Sequence, residues 1–367
     1  MFCLVQLVKW PQLCPTPKTQ SPDAFRVEAN PTSCVSDSSY LCGLSKSLNP
    51  HPLDEPILVL LSHNSPDDVV DGPLAWINGR FVPSQAAAVP VSDLGLHGLA
   101  VTEMVRTYDH NLFRLKDHLK RLRSSLAAVK IEADTEGLDE ICRIIGMRNS
   151  SFVKSSTDIG LVIVVTAGPN PTYIGENSHG PTVCVHTFDL PLARWSHTIQ
   201  DGVSLLVSNV PQLPAACLPP EAKTRSRLHW HLASMEVRAK NPAAQAILLN
   251  QSGQLTETPT ANFFAAFGES VVTPATDVLP GISRQVVSEL CRVLGLQYEE
   301  RPIRPDDMET ADEAFISSTP YGLLPVTQFA ERKIGNGLPG PIFFELCNAW
   351  SELVGIDIIE QITSSRS

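Results

Sequence analysis

The stretch "EAKTRSRLHWHLASMEV", residues 221–237, sets a lysine just ahead of an apolar helical stripe. Lys223 is followed by Arg225 and Arg227, and Leu228 and Leu232 begin the stripe, so the spacing predicts a helix over 225–240 with Lys223 at its mouth. A positive neighbour disfavours protonation of a lysine, and an unprotonated lysine is a nucleophile. A solvated surface lysine is the other reading of the same residues. The remainder of the chain decides between them.

The 367 residues suffice for two domains, and 43% hydrophobic with 18% charged residues suits a globular protein with a sizeable core. A net charge of −11 argues against nucleic-acid and anionic-membrane partners, which require a cationic face. The apolar run "ILVLL" (57–61) is far too short to span a bilayer. Nine cysteines, an odd number without a CxxC pair, argue against a disulfide framework or a zinc site and suggest free thiols in a reducing, cytoplasmic setting. No metal ligand set is expected: His229 and His231 are two apart and do not share a helix face. The N-terminus lacks the basic n-region of a signal peptide, and the N-x-S sequons at Asn149 and Asn250 carry no meaning in the cytoplasm.

Residues 1–70 are rich in Ser, Pro and Asp and show no sustained period, which predicts a disordered N-terminal extension. Order begins with "LAWINGRFVP" (74–83), two strands joined by the hairpin pair Asn78-Gly79. A second hairpin is predicted from "VTEMVRTY" (101–108) and "LFRL" (112–115), followed by a helix capped by Asp117 and striped with Leu119, Leu122, Leu126 and Val129. "LVIVVTAG" (161–168) and "TVCVHTF" (182–188) read as buried strands. The first domain, 73–192, therefore mixes sheet and helix without regular βαβ alternation, and the fold class is α+β. "LPLARWSHTIQDG" (190–202) reads as the crossing to a larger second domain, 203–362. That domain holds strands at "VSLLVS", "QAILLN", "QLTET", "NFFAAFG", "SVVTP" and "EAFISS", and a helix in "LPGISRQVVSELCRVLG" (279–295).

Further features of this second half can be read with Lys223. Glu257 in "LTETPTANFF" could hold a proton on a heterocyclic nitrogen. Gly281 permits close backbone approach, leaving the Ile282 and Ser283 amides to face an anion at a helix start. "SSTP" (317–320) offers hydroxyls, Thr319 among them, and Arg121 in the first half offers a guanidinium off its helix's apolar stripe. Each has an ordinary structural explanation singly. Together they suit pyridoxal phosphate, which needs a lysine for its aldehyde, an acid for its ring nitrogen and a cradle for its phosphate. No Walker sequence, G-x-G-x-x-G loop or G-x-S-x-G elbow competes.

From "INGRFVP" through "VSDLGLHGLAVTEMVRTY", "RLKDHLKRL", "KTRSRLHWHLASMEV", "ILLNQSGQLTETPTANFF" and "LPGISRQVVSEL" to "ADEAFISSTPYGLLPV" and "IGNGLPGP", the order of motifs over roughly 74–358 resembles the class IV, fold type IV pyridoxal-phosphate aminotransferases. That family includes branched-chain aminotransferase, D-amino-acid aminotransferase and aminodeoxychorismate lyase. The resemblance implies two domains with pyridoxal 5′-phosphate between them, Lys223 as Schiff-base lysine and proton shuttle, Glu257 on the ring nitrogen, and Arg121, Ile282, Ser283 and Thr319 on the phosphate. It further implies ping-pong transfer of an amino group from an amino acid to a 2-oxo acid, in a homodimer or larger homo-oligomer whose partner subunit helps wall the site.

Departures bear on substrate. Thr102 stands where the family carries an aromatic residue, and Met104 where branched-chain enzymes have glycine. Arg106 matches an arginine that organises the substrate side of those enzymes. The carboxylate-trapping arginine and histidine of the D-amino-acid enzymes have no counterpart between Pro169 and Ile174, and Arg227 resembles the lyases. The reading is a transaminase for branched-chain or similar apolar L-amino acids, with the lyase and the D-amino-acid enzyme as alternatives and a non-catalytic binding protein behind them.

Overall fold

The computed structural model describes residues 71–154, 157–174 and 180–364; the extension predicted for residues 1–70 lies outside the described residues. Two sheets share no strand: all strands of the first lie before residue 190, and all of the second after residue 202.

The first sheet comprises β1 (Leu74–Ile77), β2 (Arg80–Pro83), β3 (Ala100–Tyr108), β4 (Asn111–Leu112), β5 (Ile159–Thr166) and β6 (Val183–Asp189), ordered β2-β1-β6-β5-β3-β4 and antiparallel throughout. Its tight turns have the expected chemistry. Asn78 and Gly79 take φ of 44° and 85°, and Asp109 and His110 take 48° and 61°, the left-handed values a two-residue hairpin requires. Helices α1 (Leu115–Ala128) and α2 (Leu138–Ser150) cover one face, where Val101, Val105, Leu119, Leu122 and Ile163 are buried together. Asp117 is not the cap of α1. The chain turns through Arg114 at φ 56°, ending β4 at Leu112, and Asp117 lies in the first helical turn beside Arg114 at 3.5 Å.

The second sheet comprises β7 (Val203–Val207), β8 (Gln245–Ile247), β9 (Asn262–Phe267), β10 (Ser270–Thr273), β11 (Gln297–Glu300), β12 (Glu313–Ser318), β13 (Gly322–Phe329) and β14 (Arg332–Lys333), ordered β11-β10-β9-β12-β13-β7-β8 with β14 on β13. It is mixed: β10–β11, β13–β7 and β7–β8 are parallel. Helix α3 (Leu228–Lys240) packs Trp230, Ala233 and Val237 against Leu206 and Leu248. Helices α4 (Ile282–Leu294), α5 (Pro341–Val354) and α6 (Ile358–Ser364) share the largest core with β9, β12 and β13.

Two predicted elements differ. The helix at 225–240 starts at Leu228, because the residues before it pair with β3 instead: Thr102 N–H donates to Lys223 O at 2.9 Å and Arg225 N–H to Ala100 O at 2.8 Å. Lys223 therefore sits on an extended segment added to the first sheet rather than at a helix mouth. The strand predicted at "QLTET" is reduced to isolated bridges at Leu255 and Glu257. The Leu248 carbonyl accepts from the Thr256 N–H at 2.9 Å and its N–H donates to the Glu257 carbonyl at 3.3 Å, so two residues face one and the strand kinks as a bulge does.

Candidate active site

A cavity of about 370 Å³ opens between the two sheets. Lys223, Glu257, Arg121, Ile282, Ser283 and Thr319 all line it, as do Thr102 and Met104, which alternate along β3 on the face away from α1.

Lys223 is held by backbone from the other half of the chain. Its N–H donates to Ser125 Oγ on α1 at 3.0 Å, and its carbonyl accepts from the Thr102 N–H. Its amine makes no hydrogen bond or ion pair with a described residue. Burial, then the charge of Arg121, lower its pKa to about 8, against the opposing pull of Glu103. Neighbouring charge and burial thus act in the direction a nucleophile needs.

Arg121 is aimed by a buried triad. Its Nε and Nη2 donate to the two oxygens of Glu103 at 2.7 and 2.8 Å, and His118 Nδ1 lies 2.8 Å from the same carboxylate. Burial opposes the charge on Glu103, but Arg121 and His118 outweigh it and hold the carboxyl at about 2. The remaining Arg121 nitrogen, Nη1, donates to Pro280 O at 3.0 Å, which brings the guanidinium to the start of α4. There the N–H groups of Ile282 and Ser283 donate to no described group, and Gly281 supplies no side chain to cap them.

Glu257 is buried, and one oxygen accepts from Asn262 Nδ2 at 3.0 Å and Leu279 N–H at 3.2 Å. The other oxygen accepts from no described group. Burial, only partly countered by these donors and by nearby cations, lifts the carboxyl to about 7. Ser317 Oγ is also buried at the cavity and has no partner among the described residues.

Arg106 does not line the cavity. It is 1% exposed, and its guanidinium is occupied by Thr107 O, Pro320 O, Asp158 and Gln361. It braces Pro320, which does face the cavity. Glu103, His118, Ser125 and Asn262 are the supporting residues that sequence reasoning missed. A signal existed: His118, Arg121 and Ser125 are polar positions spaced three and four apart along the buried stripe of α1. Among the described residues no three His, Cys, Asp or Glu side chains gather as a metal site, and no helix is long and apolar enough to cross a membrane.

A two-sheet α+β fold closing on a free lysine, a lone carboxylate oxygen and a helix-start cradle defines a class of protein, and the family model for class IV amino-transferases matches residues 100–329. The chain belongs to that family. It is 32% identical over 291 residues to branched-chain-amino-acid aminotransferase-like protein 1 of Arabidopsis thaliana, covering 76% of this chain and 50% of that protein. It is 30% identical over 275 residues to D-alanine aminotransferase of Bacillus licheniformis, covering 72% of this chain and 91% of that protein. The chain thus spans about half the length of the plant relative and most of the bacterial one. The branched-chain amino acid aminotransferase of Thermobaculum terrenum, solved in its PLP-bound holo form, shares the fold at a TM-score of 0.66 and 25% identity, covering 79% of this chain and 97% of that one.

Proposed function

We propose that this protein is a pyridoxal 5′-phosphate-dependent transaminase that moves an amino group between an amino acid and a 2-oxo acid in ping-pong half-reactions. The observation that carries it is the convergence on one cavity of the Lys223 amine, a Glu257 oxygen and the amides of Ile282 and Ser283, none of which has a hydrogen-bond partner among the described residues. These residues fit the cofactor. The cradle with Arg121, Thr319 and the unpartnered Ser317 hydroxyl suits a phosphate, the Glu257 oxygen suits a ring N–H, and Lys223 suits an aldehyde.

When bound, pyridoxal phosphate supplies a carbonyl that captures amines and a ring that draws electrons from the bonds of the captured carbon. Lys223 would hold the cofactor's aldehyde at rest and, with its amine free, would be the base that takes the substrate's α-proton and gives it back on the far side of the reacting nitrogen. Its depressed basicity keeps it able to do both near neutral pH. Glu257 would meet the ring nitrogen with its open oxygen, and a cationic ring N–H there would favour the carboxylate form. Helix α4 and Arg121 orient the cofactor from its phosphate end.

Met104, Val162 and Phe188 give the cavity an apolar wall, which favours branched-chain or similar apolar substrates. Residues 73–192 and 203–362 act as two domains with the cavity between them. Helix α3 exposes Leu228, Leu232 and Met235 at helical spacing (70%, 51% and 53% exposed), a face suited to a second copy in a homodimer. The five described cysteines are unpaired, in keeping with a cytoplasmic site of action.

The test is spectroscopic. Purified protein with pyridoxal phosphate is expected to show a visible absorbance band, absent in Lys223→Ala, that bleaches with particular amino acids from a panel of L and D forms. The bleaching set names the substrate class and its hand. No band in the wild type refutes the reading. Release of aminobenzoate from aminodeoxychorismate without an oxo-acid acceptor establishes a lyase instead.

A further inference from the structure

An amino-acid substrate brings a carboxylate on the carbon next to its reacting nitrogen, and a cavity that receives it must supply a cation or strong donors. Three arginines line this cavity: Arg121, Arg225 and Arg227. Two are already engaged. Arg121 is committed to both oxygens of Glu103 and to Pro280 O. Arg227 donates to Pro259 O, lies over the Trp230 ring and sits in the field of Glu257. The Arg225 side chain makes no hydrogen bond, ion pair or ring contact with any described residue.

The position of Arg225 is set by backbone. Lys223 O accepts from Thr102 N–H and Arg225 N–H donates to Ala100 O, on either side of the single bridge between Thr224 and Val101, and Lys223 and Arg225 both line the cavity. A carboxylate lies one bond from the carbon whose nitrogen replaces Lys223, so a guanidinium two residues away stands within its reach. The charge of Arg225 is also felt at His186, where it adds to burial in lowering the imidazole's pKa. His186 shares its face of β6 with Phe188, which belongs to the apolar wall.

We propose that Arg225 binds the substrate's α-carboxylate and thereby turns the side chain toward Met104, Val162 and Phe188. Arg225 is then a specificity-determining residue, supplied by the lysine's own segment. This rests on the transaminase reading of the same site.

The experiment uses the pyridoxal-phosphate-loaded enzyme, with Arg225→Met, Arg225→Lys and Arg227→Met beside the wild type. The probe is 4-methylpentanoate, a carboxylate without an amine, titrated by calorimetry. Turnover of apolar amino acids is compared with reaction of 3-methylbutylamine, an amine without a carboxylate. Loss of a charge-assisted hydrogen bond predicts that Arg225→Met weakens 4-methylpentanoate binding and raises the amino-acid KM by about 10- to 100-fold. The amine's reaction should stay within about twofold and Arg225→Lys should recover part of the loss, since lysine keeps the charge without the fork. Unchanged carboxylate affinity in Arg225→Met overturns the proposal, as does an equal loss for the amine, a larger loss in Arg227→Met, or no 4-methylpentanoate binding by the wild type. If Lys223 takes up the cofactor yet no amino acid is converted, the transaminase reading fails, while the titration still reads Arg225 independently.

Discussion

Glu103 shows how much one side chain sets at this site. It is fully buried on the α1 face of β3, an arrangement that is costly unless the charge is matched. Arg121 and His118 match it, and the same ion pair aims Arg121 at the α4 start. Glu103→Gln removes the charge and leaves Arg121 uncompensated, which is expected to cost about 3–5 kcal/mol at pH 7. The pH dependence has a definite sign. The folded-state pKa of Glu103, about 2, lies below its ordinary 4.5, so its stabilisation is complete above about pH 4.5 and is lost as the pH falls toward 2. The stability gap between wild type and Glu103→Gln should therefore narrow through that window, as measured by urea unfolding at a series of pH values.

At the scale of elements, the helix start at α4 couples Glu257 to the amides of Ile282 and Ser283 across the cavity. Gly281 has an ordinary φ of −67°, so its requirement for glycine is one of space rather than backbone strain. A Cβ there would stand 2.0 Å from Asn262 Oδ1, and Asn262 Nδ2 holds Glu257 at 3.0 Å. Gly281→Ala must displace Asn262, disturbing the Glu257 carboxylate and the amide cradle together. The expected outcome is a pyridoxal-phosphate affinity at least about tenfold weaker, from the loss of one or two hydrogen bonds, with a smaller effect on thermal stability of the cofactor-free protein. Equilibrium dialysis of the cofactor checks it. The β-bulge at Thr256–Glu257 is a device of the same scale, since a kink there redirects the side chains that follow.

At the scale of the whole molecule, the C-terminal helix is fastened to the first sheet through one buried cluster. Asp158 accepts from Thr107 Oγ1 at 2.6 Å, from the His110 N–H at 3.0 Å and from Gln361 Nε2 at 2.6 Å, and pairs with Arg106 at 3.4 Å. Arg106 in turn holds Pro320 O, at the rim of the cavity. Asp158→Ala should destabilise the protein by about 3–5 kcal/mol, by leaving Arg106 buried without its counter-charge. It should also raise KM for amino acids more than it lowers the affinity for pyridoxal phosphate, because Pro320 loosens while the α4 cradle is untouched. Chemical unfolding with parallel steady-state kinetics checks both arms.

Local rules in the sequence determined the hairpin at Asn78-Gly79, the presence but not the register of the hairpin after Tyr108, most strands, the Gly281 and Gly295 limits of α4, and the α+β class, because turn chemistry and hydrophobic period act over a few residues. The order of motifs also brought Lys223, Glu257, Arg121, Ile282, Ser283 and Thr319 forward as candidates. Tertiary structure alone decided what these residues touch. The segment around Lys223 reads locally as a helix mouth, yet its backbone groups pair with β3, and long-range pairing overrode the local period. Arg106, Arg121 and Arg225 are indistinguishable as arginines in a sequence. One is spent on Asp158 and Pro320, one on Glu103, and one lines the cavity without a side-chain partner among the described residues, because partners distant in sequence settle where a charge can be satisfied.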